Sequence, residues 1–144
     1  MDKQLIKLKE KIDTFNTTQE KISFVMDFVD TLSLNKKDIK FLVPEIKMFD
    51  DIVFKPHHFS DMRGMEDAIS GVLEFDNGYF ASVVGGGTGL YGDGVTTFEI
   101  GFEDLDENNS PTGKIDVIGW LSKGEITDEM IRIQVLPPKT DQSQ

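Results

Sequence analysis

The sequence predicts an α+β domain: an N-terminal helical hairpin, an antiparallel sheet of about four strands and a short C-terminal helix. Three observations carry this. Apolar residues recur at spacings of three and four through the first 45 positions, which is the helical period. Between about 69 and 121 they alternate instead, in runs joined by short polar turns, and strands joined without helices pair antiparallel. After that, Ser122 and Glu125 have the spacing of a capping box ahead of a further apolar stripe.

Leu5, Leu8, Ile12 and Phe15 place a first helix over 2–15, and Asn16-Thr17-Thr18 interrupts it. Thr17 with Glu20 forms a capping box for a second helix over about 18–32, striped by Ile22, Val25, Met26, Val29 and Leu32. Ile39, Leu42 and Val43 suit a short third helix that Pro44 ends. Ile52–Phe54 fits a short strand, and Lys55-Pro56-His57-His58 reads as an irregular connector. Residues 69–76 and Tyr79–Val84 form a hairpin around Asp76-Asn77-Gly78, residues that tolerate positive φ. Val95–Glu103 alternates, with Phe98, Ile100 and Phe102 on its core face. Lys114–Leu121 is the last strand. Thr127, followed by Asp128 and Glu129, opens the final helix, placing negative charge at its positive end. Trp120 and Tyr79 read as core or core-rim anchors.

The 144 residues suit one domain over 1–138, with a helical element at 1–45, the sheet and its helix at 50–136, and a disordered tail at 139–144. There is no cysteine, which excludes disulfides and thiolate metal sites. The start is charged and lacks an apolar run, predicting no signal peptide, no membrane partner and a cytoplasmic location. The net charge is -11, unevenly spread: residues 1–49 carry nine Lys against eight acids, residues 50–144 six Lys or Arg against 18 acids. Such a surface repels nucleic-acid phosphates and attracts basic proteins.

Six glycines fall within Gly85–Gly94, and Gly87-Thr88-Gly89-Leu90-Tyr91-Gly92 matches G-x-G-x-x-G. In dinucleotide folds that motif opens a helix whose amides face a pyrophosphate. Here Asp93 follows and then a strand, so the run reads as a hairpin connection, with Tyr91 as its contact residue. Asp104-Leu105-Asp106-Glu107-Asn108-Asn109 starts like an EF-hand loop, but Asn109 replaces its glycine and Ile115 its closing glutamate. His57 and His58 point apart if extended, which excludes joint chelation of one metal. Glu99 and Glu103 share a strand face about 13 Å apart, too far for a glycosidase pair. No metal, no cofactor and no catalytic set is expected.

Phe54-Lys55-Pro56-His57, Phe75-x-Asn77-Gly78-Tyr79, Ser82-Val83-Val84, Tyr91-Gly92, Phe98-Glu99 and Val117–Leu121 together resemble a class of small bacteriophage-encoded proteins with an F-x-N-G-Y-x-x-S-V-V hairpin. The resemblance spans residues 54–135 and excludes the helical start. Phe80 stands where that class carries glycine, and Phe98 where it carries tyrosine. It implies a phage source, with the host cytoplasm as location, and transfers no catalytic residue. The function expected is non-enzymatic: a phage-type accessory or host-directed inhibitor protein that binds a basic host protein through an acidic surface. The candidate residues are Tyr91, Asp93, Glu99, Glu103, Asp104, Asp106 and Glu107. The alternative is a small-ligand or nucleotide-binding module using the glycine-rich loop 85–94. Homo-oligomerisation through an exposed sheet edge stays open.

Overall fold

The computed structural model describes residues 2–139. Helix α1 (Lys3–Ile12) starts where the Asp2 carboxylate accepts the Gln4 N–H at 2.7 Å, and carries Lys9 and Lys11 in its last turn, as the helix dipole favours. Helix α2 (Thr18–Met26) starts where Thr17 Oγ1 accepts the Glu20 N–H. It stops six residues short of the expected Leu32. Residues 27–33 run through turns, and Ser33 at φ 52° returns the chain so that the Leu34 N–H reaches the Val29 carbonyl at 2.9 Å. Burial of Leu34 accompanies that reversal. Helix α3 (Lys36–Leu42) has a reciprocal Asn35–Asp38 capping box and ends before Pro44. Ile12, Ile22, Val25, Leu42, Val43 and Ile46, all fully buried, join these helices in one apolar cluster.

The sheet has five antiparallel strands rather than four, in the order β1 (Lys55–Pro56), β2 (Ile69–Glu74), β3 (Phe80–Gly85), β4 (Phe98–Leu105) and β5 (Pro111–Leu121). The additional strand is the two-residue β1, in the stretch expected to be a connector. Pairing with Ile69 and Ser70 defines it, which no local pattern encodes. Ile52–Phe54, expected as a strand, follows a single 3-10 turn at Phe49–Asp51 instead. The Asp76-Asn77-Gly78 turn forms as expected, with Gly78 at φ 92°.

Alternation divides the sheet into two faces. Ala81, Val83, Phe98, Ile100 and Phe102 point into the core, where Ile126, Met130 and Ile133 of helix α4 (Lys123–Gln134) meet them. The other side of α4 presents Ile131 to the helical cluster. α4 therefore lies between the sheet and α1–α3. Its true start is Ser122, in a complete capping box with Glu125; Thr127 lies inside the helix, its Oγ1 accepting the Phe49 N–H at 3.0 Å. Lys139 is held as well: its N–H donates to the Asn77 carbonyl at 2.7 Å and its ammonium meets Glu103 at 2.6 Å. The rest of the predicted tail, 140–144, lies outside the described residues.

Candidate binding face

Among the described residues no helix covers the second face of the sheet. The register assigns to it Ser70, Val72 and Glu74 from β2, Phe80, Ser82 and Val84 from β3, Glu99, Gly101 and Glu103 from β4, and Ile115 and Val117 from β5. Val72 is 60% exposed, Ile115 56% and Val117 44%. Ser82 lies opposite Gly101, so the middle of the face is a floor of small residues. The charged residues at these positions are glutamates, while Lys55 of β1 lies opposite Ser70 on the same face and Lys139 pairs with Glu103.

The glycine-rich connection closes one end of this face. Several of its amides are engaged: Gly86 donates to the Gly92 carbonyl, Thr88 to Gly64, Leu90 to Gly87 and Gly94 to Thr97, at 2.8–3.0 Å. A side chain at Gly85 would collide with the Gly94 backbone, so glycine here permits two chain segments to touch. Asp93 accepts the N–H groups of Val95, Thr96 and Thr97 and the Thr96 hydroxyl, and these bonds hold its carboxyl well below the usual carboxylate range. Tyr91 is thereby carried over β4 to β5. Its N–H donates to Glu99 Oε1 at 3.2 Å, and its carbonyl accepts the Trp120 N–H at 2.6 Å. A side chain at Gly119 would occupy the space that Tyr91 fills.

Trp120 corrects the sequence reading. It is 63% exposed rather than a core or core-rim anchor, whereas Tyr79 is buried in the core. It sits in a bulge of β5 at φ 59°, a conformation that costs a bulky residue about 1–3 kcal/mol. Tyr91, itself 55% exposed, is tied to it by the backbone bond at the end of the face. No local signal distinguishes such a tryptophan from a buried one, because the bulge and the crossing loop that turn it outward are tertiary.

The remaining candidate residues separate. Glu103 pairs with Lys139 and is mostly covered. Asp104 Oδ2 accepts the Thr112 hydroxyl at 2.9 Å, and Asp106 accepts the amides of Asn108 and Ser110, closing the β4–β5 turn where Asn109 takes φ 59°. That is the work of the EF-hand-like stretch. Glu107 is exposed in the same turn. Glu103, Asp104 and Asp106 line a cleft of about 250 Å³ with Asp116 and Arg132. The structure thus brings Tyr91 to Glu99, gathers Glu103, Asp104 and Asp106 at the other end of β4, and leaves Asp93 in its own turn.

The histidines do not diverge. A turn at 57–60 stacks their rings with centroids 4.4 Å apart, because the chain there is not extended. His57 Nδ1 accepts the Phe59 N–H at 3.1 Å. Burial, together with the neighbouring His58, pushes the His57 imidazole below its ordinary pKa, against the opposing pull of Glu99. Among the described residues no group of three or more His, Asp or Glu is placed to hold a metal ion, and no helix is long and apolar enough to cross a membrane. A cleft of about 290 Å³ lies away from the glycine loop, between the start of α2, the Glu74–Asn77 turn and Gln134. Compared with protein families, curated proteins and solved structures, the chain matches none.

Proposed function

We propose that this chain is a non-enzymatic binding protein of the phage accessory or host-directed inhibitor type, acting on a basic host protein through the uncovered face of its sheet. One observation carries the reading: Trp120 is held outward, against its backbone preference, beside Tyr91 at the end of the uncovered sheet face. Tryptophan and tyrosine dominate the energetics of protein interfaces, and the net charge of -11 favours partners of opposite sign. The glycine run leads into strand β4 with no helix opening after it, which weighs against a nucleotide module built on that loop. Capture from bacterial lysate tests the proposal. The native chain retains a basic protein at low salt and releases it at high salt, and Trp120→Ala fails to retain it. Equal capture by both chains, or none by either, overturns the reading.

A further inference from the structure

We propose that His57, stacked on His58 and set against Glu99, is a pH-sensitive latch on Tyr91 and Trp120: neutral, it leaves them tied together, and protonated, it releases them. The latch regulates the site of the proposed binding function. It rests on that reading for its use, though not for its test.

The chain beyond β1 builds the latch. The His57 N–H donates to the Ala68 carbonyl at 2.8 Å, and alternation from Lys55 puts the imidazole on the uncovered face. It is nevertheless only 8% exposed, because the turn at 57–60 folds His58 and Phe59 over it, with ring centroids 4.4 and 5.6 Å from its own. The same segment is the bed of the glycine connection. The Thr88 N–H donates to the Gly64 carbonyl at 2.8 Å, a side chain at Gly86 would strike the Asp67 carbonyl, and one at Gly87 the Met65 sulfur. A disturbance at His57 therefore reaches the loop that carries Tyr91.

The charges around His57 give that disturbance a direction. From β4, Glu99 acts on the imidazole, and from its own turn His58 does. Lys55 of β1 is exposed, as are Asp61, Arg63, Glu66 and Asp67 of the following loop. Glu66 accepts the Gly64 N–H, and Asp93 of the glycine connection is held within its own turn. β2 and β3 bring Ser70 and Val84 to this end of the face, and no charge. Glu99 is also the carboxylate that accepts the Tyr91 N–H at 3.2 Å, and the Tyr91 carbonyl accepts the Trp120 N–H at 2.6 Å. A proton on His57 Nδ1 opposes the Phe59 N–H and opens the turn. The imidazolium then competes with the Tyr91 N–H for Glu99, since a bond between two charged partners is stronger than one from a neutral donor. Charge on His58 adds repulsion within the stack. Tyr91 loses its hold on the sheet, and Trp120 its bond to Tyr91.

NMR of the native chain between about pH 7.5 and 5.5, a range that brackets ordinary histidine titration, tests the latch, with far-UV circular dichroism alongside. The Tyr91 and Trp120 amide protons move upfield with the midpoint of the His57 ring, those of Asn108 and Ser110 in the β4–β5 turn stay, and the dichroism holds constant. In His57→Asn the Tyr91 and Trp120 amides stay. In Glu99→Gln, which keeps an acceptor for Tyr91 and removes the charge, the His57 ring still titrates and the Trp120 amide moves less. Still amides over a titrating His57 ring, equal movement in Glu99→Gln, or a change of dichroism at the same midpoint overturns the latch. Should His57→Asn not fold, Glu99→Gln decides. None of these readings needs a partner, so they overturn the latch alone, and failure of the lysate capture overturns the binding function alone.

Discussion

Asp93 sits at the end of the glycine run, where a phosphate site would need a donor, and it spends its carboxylate on three amides of its own turn. Replacing it with alanine leaves those amides to water, so Asp93→Ala speeds hydrogen exchange at Val95–Thr97 and leaves β3 unchanged. His57 gives a pH-dependent outcome. Its Nδ1 is an acceptor, so protonation sets two donors against each other at Phe59. Its folded pKa lies below the unfolded value. The neutral form is thus favoured by folding, and its contribution is fully present above about 6.5, the ordinary histidine value. It is lost as pH falls from there through the folded pKa. Between pH 7.5 and 5.5 the native chain loses urea resistance, and His57→Asn, which keeps an acceptor without the titration, flattens the loss. At this scale the sequence was least legible. An aspartate after glycines reads equally as a turn cap or a charged contact, and the outward direction of Trp120 depends on Tyr91, remote along the chain.

The elements were more legible, because caps and periodicity are local. Thr17-x-x-Glu20 and Ser122-x-x-Glu125 each mark an observed helix start, and Asp76-Asn77-Gly78 marks an observed hairpin. What escaped were features set by pairing: the two-residue β1, the bulges of β5, and the loss of helix after Met26 despite a continuing apolar stripe. β5 shows why pairing matters beyond the fold. An eleven-residue strand at a sheet edge invites self-association. Here two bulges, Lys114, Asp116 and the bond from Val117 to Asp116 oppose it. Asp116→Val frees the Val117 amide and adds a β-branched side chain, so the variant sediments partly as dimer or larger species at concentrations where the native chain is monomeric. A monomeric variant would show that the bulges suffice.

The molecule is three layers deep, and α4 is its middle layer. Ile126, Met130 and Ile133 face the sheet, Ile131 faces the helical element, and Gln134 ties the helix to Lys47 through the N–H at 2.9 Å and the carbonyl at 2.8 Å. Asn77 locks the β2–β3 turn to the C-terminus of α4, donating to the carbonyls of Ile133 and Leu136 at 2.8 and 3.1 Å. The Ile133 carbonyl also accepts the Leu136 N–H at 3.2 Å, so it is the Leu136 carbonyl that depends on Asn77. Asn77 is only 6% exposed, so Asn77→Ala removes both bonds to the end of α4 and costs about 1–3 kcal/mol, read as a lower urea midpoint. Ile131→Ala opens a cavity on the other side of α4 and costs about 2–5 kcal/mol. Both losses fall on one helix shared by two clusters, so neither layer has a complete core without it. The native chain therefore unfolds in one transition, and Ile131→Ala lowers hydrogen-exchange protection at Val83 and Ile100 as well as at Ile22 and Val25. Protection lost from the helical element alone would show that the sheet with α4 stands by itself, and that residues 1–45 are an addition to it.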